Sequence, residues 1–451
     1  MSADNATLLF TDLGLPETLL AALRDVGYES PSPIQAATIP PLLEGRDVLG
    51  QAQTGTGKTA AFALPVLNRL SKETPPAGPR KPRALVLVPT RELAVQVADS
   101  FKTYGRHLRL NVTTLFGGVG MQPQIEQLRR GVDVLVACPG RLIDHLDRGS
   151  VKLDGVEVLV LDEADRMLDM GFLPAIKRIV NRVPKQRQTL LFSATFEPRI
   201  KALALEFLKD PREVQVAAQN TVAQTIAHRA HPVDGAAKRD LLVEILARRH
   251  TEQVLVFGKT KHGCNRLAEQ LEKAGLPALA IHGNKSQAAR QKALNEFKSG
   301  KTRILVATDV AARGLDIPDL PLVINHDLPM VAEDYVHRIG RTGRNGATGE
   351  AISLVSPDEA NLLRQIQKLL GRDIAMEVVP GFEPSRAIRN DANPFDNAPR
   401  APRPSRNRRP HGKPRAPEAH AHAGPKQPRE AQRDGRRGNR QGGVRRDARP
   451  V

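Results

Sequence analysis

The sequence is poor in the residues that several binding modes depend on. Aromatic side chains make up 3% of its 451 residues, with three Tyr and no Trp. Stacking bases on rings needs more aromatics than that. Any grip on nucleic acid should therefore fall on its backbone. Only two cysteines occur, Cys138 and Cys264, far apart and with no His or Cys neighbours at ligand spacing. This excludes a disulfide framework and a zinc site, and it suits a reducing cytosol. No run of about 18 apolar residues is present, so no membrane-spanning helix is expected. Residues 1–10 lack a basic stretch followed by an apolar one, so no secretory leader is expected either.

Acidic residues are also outnumbered. There are 67 Lys and Arg against 49 Asp and Glu, a formal net charge of +18. The excess is uneven: residues 381–451 carry 18 of the basic residues and only 7 of the acidic ones. A basic tail beside a mildly basic body points to a polyanion, nucleic acid being the usual one. A solubilising tail is the plain alternative. The same segment holds eleven prolines and, apart from two Phe, no aromatic residue. It cannot bury enough apolar surface to offset ordering entropy and is expected to be disordered.

Short apolar runs alternate with helical patterns before that tail. They fall at 47–52, 84–88, 112–116, 132–137, 156–161 and 189–192. Runs such as Val158-Leu159-Val160-Leu161 read as strands buried on both faces, hence a parallel sheet covered by helices. The pattern loosens near Asp210-Pro211 and resumes with strands at 253–257, 278–281, 303–307, 322–325 and 350–354. Helices at 261–274 and 286–298 lie between them. The expected architecture is α/β: two tandem doubly wound parallel-sheet domains. The boundaries are 1–210, a connector at 211–234, a second domain at 235–380, and the tail at 381–451.

Ala52-Gln53-Thr54-Gly55-Thr56-Gly57-Lys58-Thr59 follows a predicted strand and opens a helix. In that context glycines let successive N–H groups turn toward phosphate, and the helix N-terminus adds a favourable dipole. Lys58 can reach the β- and γ-phosphates, and the Thr59 hydroxyl can bind Mg²⁺. The complementary acid lies at the tip of a buried strand, in Leu161-Asp162-Glu163-Ala164-Asp165. Asp162 can hold Mg²⁺ through water, and Glu163 can orient and deprotonate the attacking water. Together these mark a P-loop nucleoside triphosphatase using ATP and Mg²⁺. They do not choose between kinase, translocase and helicase.

Asp162-Glu163-Ala164-Asp165 is the tetrapeptide that names the DEAD-box RNA helicases, and the resemblance covers about residues 9–380. The implied fold is a pair of RecA-like domains of helicase superfamily 2. Phe10 and Gly27-Tyr28-Glu29-Ser30-Pro31-Ser32-Pro33-Ile34-Gln35 resemble the family's adenine reader. There Gln35 would pair with adenine N6 and N7, Tyr28 would stack, and Phe10 would support. Pro89-Thr90-Arg91-Glu92-Leu93, Gly117-Gly118 and Pro139-Gly140-Arg141 resemble RNA-contacting loops, with Thr90, Arg91, Gly118 and Arg141 toward RNA. Ser193-Ala194-Thr195 resembles the motif that couples hydrolysis to strand separation, in concert with Asp165.

In the second domain Gln287 and Arg290 resemble a Gln-x-x-Arg element, with Gln287 in coupling and Arg290 toward RNA phosphate. In Ala307-Thr308-Asp309-Val310-Ala311-Ala312-Arg313-Gly314-Leu315-Asp316 the resemblance sets Thr308 facing RNA, and Gly314 and Asp316 at the nucleotide. His337-Arg338-Ile339-Gly340-Arg341-Thr342-Gly343-Arg344 resembles the arginine-finger motif, with His337 in coupling and Arg341 and Arg344 at the γ-phosphate. Such fingers act only when the lobes close, so ATP would favour the closed state and hydrolysis release it.

Cys138 departs from the pattern. The family usually has Thr before Pro-Gly-Arg, and a thiol is a weak donor, so a phosphate contact is weakened. Asp165-Arg166-Met167-Leu168-Asp169-Met170-Gly171-Phe172 and Ile281-His282-Gly283-Asn284-Lys285-Ser286-Gln287 resemble the bacterial RhlE subgroup.

The resemblance implies RNA-stimulated ATP hydrolysis with local unwinding of short duplexes or remodelling of RNA–protein assemblies. It implies a cytoplasmic monomer without membrane association. At family level it implies ribosomal precursors, RNA-degradation complexes and a cold response. An ATP-gated RNA clamp or scaffold without productive unwinding uses the same motifs and stays open. A DNA translocase of the same superfamily is a third reading.

Overall fold

The apolar runs become the inner strands of two sheets in a computed structural model. The structure describes residues 8–52, 56–72, 80–216, 226–250, 252–312, 317, 320–343, 349–386 and 388. In the first sheet, β1 is Val48–Gln51, β2 Ala84–Leu87, β3 Val112–Leu115, β4 Val134–Ala137, β5 Val158–Leu161, β6 Gln188–Ser193 and β7 Arg212–Gln215. Their order is β3-β4-β2-β5-β6-β1-β7, and neighbours run parallel.

Every residue of β2, β4 and β5 is buried, as a sheet with helices on both faces demands. Alternation sorts the side chains onto two cores. Val86, Val136, Val160 and Phe192 pack with Phe62 and Phe101 on one face. Leu49, Leu85, Leu159 and Leu191 pack with Met167 and Ile176 on the other.

The second sheet contains β8 (Ile226–Pro232), β9 (Val254–Phe257), β10 (Ala278–Ile281), β11 (Ile304–Ala307), β12 (Leu322–Asn325), β13 (Gly349–Val355) and β14 (Ala375–Met376). Its order is β10-β11-β9-β12-β13-β8-β14. Each strand occupies the place of the first-sheet strand seven labels earlier. The repeat is thus one of topology, without a shared sequence word.

Two expected boundaries move. Segment 211–234, read as a connector, supplies β7 to the first sheet and β8 to the second. Residues 217–225 of it lie outside the described residues. The tail was expected to begin at 381. Instead Phe382 packs on the second core beside Val379, and the backbone N–H of Ser385 donates to the Asp234 carboxylate at 3.1 Å. Ile388 packs near Leu363 and Ile366. Two apolar side chains thus carry the second domain about eight residues further. The rest of the tail lies outside the described residues. Among the described residues no helix is long and apolar enough to cross a membrane.

Candidate functional site

Ligands of open α/β sheets collect beyond the carboxyl ends of the strands. The order of the first sheet divides that edge in two. The tips of the adjacent strands β5, β6 and β1 carry Asp162-Glu163, Ser193-Ala194-Thr195 and the phosphate loop. The tips of β3, β4 and β2 carry Gly117-Gly118, Pro139-Gly140-Arg141 and Thr90-Arg91. Candidate nucleotide and RNA residues therefore occupy separate halves of one sheet edge.

On the nucleotide half, Lys58 opens the helix Lys58–Lys72 and is only 6% exposed. Gly57, at φ 88°, precedes it. A Cβ there would meet the Gln35 amide nitrogen at 2.4 Å, so both the backbone angle and the close approach require glycine. The Ser32 hydroxyl donates to the Thr56 carbonyl at 2.7 Å, and Gln35 Nε2 donates to the Gly57 carbonyl at 3.0 Å. Gln35 Oε1 accepts from the Ser32 N–H at 2.8 Å. The expected adenine reader is thus also a clamp on the phosphate loop. These bonds use one of the amide's two N–H groups and one of its two lone pairs.

Tyr28 is 46% exposed, with its ring centroid 6.4 Å from that of Tyr104. Phe10 belongs to the core, 3% exposed beside Leu13 and Leu19, so it supports from beneath and offers no face to a ligand. Ala52 is also buried, its N–H donating to the Ser193 carbonyl at 3.0 Å. Gln53, Thr54 and Gly55 lie outside the described residues.

The acidic tip is constrained. Glu163 adopts the left-handed conformation at φ 52°, ψ 52°, which costs a bulky residue about 1–3 kcal/mol and marks functional positions. Its N–H donates to Asp162 Oδ1 at 2.9 Å, and its carboxylate ion-pairs with Arg166 one helical turn on. Asp162 is 2% exposed. Burial pushes its carboxyl up to about 6, with Lys58 opposing and Glu163 adding to the rise. Asp165 Oδ2 accepts from the N–H groups of Ala194 and Thr195 at 2.9 and 3.2 Å. The tip of β5 is thereby tied to the tip of β6. The Ser193 hydroxyl also accepts from the Thr195 N–H at 3.3 Å.

Among the described residues no cluster of three or more His, Cys, Asp or Glu could hold a metal. Mg²⁺ typically takes one or two carboxylates and completes its shell with phosphate oxygens and water. Asp162 with the Thr59 hydroxyl is such a sparse, hard-oxygen set. A buried acid with a raised pKa is one that a divalent cation would hold ionised.

On the other half, the Thr90 hydroxyl caps the helix Arg91–Tyr104, accepting from the Leu93 N–H at 3.3 Å. Gly118 has φ 79°, and a Cβ there would lie 2.0 Å from Arg91 Nη1. Arg141 is turned inward. Its Nη1 and Nη2 both donate to the Val119 carbonyl at 3.2 Å, and Nη1 also donates to Gln124 Oε1. It braces the glycine loop. Cys138 is 8% exposed and does not cap its helix. Burial, then the Glu92 charge, push its thiol up to about 12, so it stays protonated.

Arg290 also departs from expectation. It is 7% exposed, and Nη2 pairs with Glu92 of the first lobe at 2.9 Å. Gln287 Nε2 donates to the same carboxylate at 3.1 Å. A buried acid within reach outcompetes solvent for the guanidinium, so this element joins the lobes. Breaking one side of a buried pair costs about 3–5 kcal/mol. Arg290→Met should therefore loosen lobe closure. Fluorescence energy transfer between labels on the two lobes, with RNA and a non-hydrolysable ATP analogue present, should show a smaller closed fraction than wild type.

Behind the second sheet's edge, Arg338 is structural. It holds Asp309 through Nε at 2.5 Å and Nη2 at 2.8 Å, donates to Asn325 and the Asp327 carbonyl, and lies 4.9 Å above the Phe257 ring. His337 and Arg341 line a small hollow with Asp309, Ala312 and Asp334. Burial lowers the His337 pKa, helped by the Arg166 charge and opposed by Asp165. His337 thus senses the acidic motif of the first lobe. Thr308 is 8% exposed just before the helix Asp309–Ala312. Gly314, Asp316 and Arg344 lie outside the described residues.

Residues 32–203 match the DEAD/DEAH box helicase family and residues 237–346 the helicase conserved C-terminal domain. The chain is 44% identical to the ATP-dependent RNA helicase RhlB of Pseudomonas syringae pv. tomato, over 82% of its own length and 95% of that protein. This chain is a member of the DEAD-box helicase family. It is similar to the ATP-dependent RNA helicase DeaD of Escherichia coli K12, at 46% identity over 83% of this chain and 59% of DeaD. It spans about three-fifths of the length of the DeaD relatives it matches. S. cerevisiae Dbp5 bound to RNA and ADP BeF3 superposes with a TM-score of 0.73 at 32% identity, covering 83% of this chain and 96% of that one. Both lobes of this DEAD-box chain are RecA-like.

Four contributors to this helicase site escaped the motif reading: Ser32, Glu92, Arg166 and Gln124. Ser32 and Glu92 stand inside quoted motifs, where their buried polar partners could have been asked for. Arg166 follows the acidic tetrapeptide at a spacing that pairs it with Glu163. No sequence signal marked Gln124.

Proposed function

We propose that this chain is an ATP-dependent RNA helicase, hydrolysing ATP in response to RNA and locally separating short duplexes or remodelling RNA–protein assemblies. One observation carries the reading. His337 of the second lobe lies within reach of the charges of Asp165 and Arg166, at the acidic tip on the nucleotide half of the first edge, while the other half of that edge bears Thr90, Arg91 and Gly118. A base and a cationic finger from different lobes make hydrolysis depend on closure. RNA laid along the separate half can favour that closure.

Lys58, Thr59 and Asp162 would hold the phosphates and Mg²⁺, and Mg²⁺ would neutralise charge on the phosphates. Gln35, Tyr28 and the loop 52–57 would hold the nucleoside end, with Gly314 and Asp316 from the second lobe. Arg344 would join Arg341. Thr90, Arg91, Gly118 and Thr308 would meet RNA phosphates, with Arg141 and Arg290 acting behind them.

The Asp165 to Phe172 and Ile281 to Gln287 words support an RhlE-like subgroup. Ribosomal precursors, RNA-degradation complexes and a role in the cold are the assignments that go with it, in a cytoplasmic monomer. ATP turnover of the full chain, measured with and without single-stranded RNA or DNA, tests the reading. RNA should raise turnover and DNA should not. Stimulation by DNA alone would instead make it a DNA translocase.

The basic tail supplies salt-dependent attraction to phosphate. Because Phe382 and Ile388 pack on the second domain, the informative truncation removes 389–451. It should weaken RNA binding and flatten the dependence of log K on log salt, while RNA-free turnover stays unchanged. An unaltered slope would assign the tail to another role, such as protein docking.

A further inference from the structure

Beneath the RNA half of the first edge lies a buried polar joint that catalysis does not use. His145, fully buried in the last turn of the helix Pro139–Asp147, places Nε2 3.1 Å from Gln124 Oε1. Gln124, 5% exposed on the helix Met121–Arg129, donates through Nε2 to the Phe116 carbonyl at 2.9 Å. That bond fixes which end of the amide is the acceptor, so His145 must be the donor at Nε2. The Ser150 hydroxyl lies 2.7 Å from Nδ1 and 3.1 Å from the His145 carbonyl, and its one proton suits the nearer acceptor, the remaining nitrogen. Burial, then the neighbouring Arg141 charge, lower the pKa of His145 and keep it in this neutral form.

Gln124 Oε1 also accepts from Arg141 Nη1 at 3.2 Å, and Arg141 holds the Val119 carbonyl. The carbonyls immediately before and after Gly117-Gly118 are thus tied into one joint, through Gln124 at Phe116 and through Arg141 at Val119. We propose that His145 is a positioning residue for RNA, setting through Gln124 the spacing between the Gly117-Gly118 loop and the Pro139-Gly140-Arg141 turn. The inference rests on the reading that RNA occupies this half of the edge. Among the described residues none of these hydrogen bonds reaches the nucleotide half, so loss of the joint should change RNA affinity without changing the ATP site.

The test uses the full chain. His145→Phe keeps bulk but removes one of the two donors to Gln124 Oε1, leaving Arg141 alone on it. Losing this buried hydrogen bond from the joint should raise the RNA concentration for half-maximal ATPase stimulation about tenfold. RNA-free turnover and the KM for ATP should stay at wild-type values. His145→Gln restores an N–H donor and should recover most of the RNA response, which a purely packing role would not require. If His145→Phe does not fold, Gln124→Met breaks the same joint from the other helix and should show the same rise.

Unchanged half-saturation overturns the inference, as does an equal loss of RNA-free turnover or a His145→Gln variant as impaired as His145→Phe. Wild-type turnover that ignores RNA would overturn the functional reading itself. A responsive wild type matched by the variant overturns this inference alone.

Discussion

Glu163→Gln should lower the turnover number for ATP by about 10²–10⁴-fold, the usual contribution of a positioned general base, while nucleotide binding persists. The glutamine is the same size and can still accept from Arg166, so the buried i,i+3 contact survives in neutral form. What it cannot do is take a proton from water. The left-handed backbone at Glu163 aims this one side chain off the tip of β5, and no neighbour can replace it. Asp162 is committed to its own bond with the Glu163 N–H, and Asp165 to the amides of Ala194 and Thr195. Lys58→Ala should also abolish turnover, but by weakening nucleotide binding. Steady-state turnover beside binding of a fluorescent ATP analogue separates the two. Wild-type turnover in either variant would remove that residue from the site.

Arg341→Ala should reduce RNA-stimulated turnover by about 10³-fold or more, in line with the loss of an arginine finger. The residue follows the helix Ala332–Ile339 and is 3% exposed. It shares its hollow with His337, which already feels the charges of Asp165 and Arg166. We propose that closure brings its cation to the γ-phosphate from the opposite lobe. Arg341→Lys should recover little, because an ammonium lacks the planar fork that spans two phosphate oxygens. Arg338, three residues earlier, provides the contrast. Its guanidinium is fully engaged with Asp309, Asn325 and the Asp327 carbonyl, so Arg338→Ala should lower thermal stability. A loss of turnover confined to Arg341 variants, with unchanged melting temperature, distinguishes chemistry from scaffolding.

The parts of this molecule that were legible in its sequence are those whose causes lie close together along the chain. β2 and β5 are continuous apolar runs because both faces are covered. The phosphate loop and the acidic tip are compact words at strand ends. β8 was missed because His228, Arg229 and His231 interrupt its apolar pattern. Those side chains are satisfied from far along the chain: His228 by the Tyr335 hydroxyl at 2.9 Å, Arg229 by Glu377 and Glu350, and His231 by the Glu377 carbonyl. β7 was missed because it is an edge strand with one buried residue, Val214.

The site divides in the same way. Gln35 was found as a polar residue in a recognisable word, but its clamp on the Gly57 carbonyl depends on a loop 22 residues away. Arg290 was read as facing RNA phosphate, and its partner Glu92 was not foreseen because it belongs to the other lobe. The bracing role of Arg141 was hidden likewise, since the carbonyl it holds sits on a neighbouring strand tip. Residue identity announced a cation in each case, and only the fold showed where its charge is used.

The proposed function requires that closure of the two lobes around ATP drive separation of RNA strands. The most direct test is displacement of a labelled strand from a short RNA duplex bearing a single-stranded extension, with ATP, without ATP and with the Glu163→Gln chain. Release of the strand should require ATP and should not be sustained by Glu163→Gln. RNA-stimulated turnover without any strand release would contradict it and make the molecule an ATP-gated clamp.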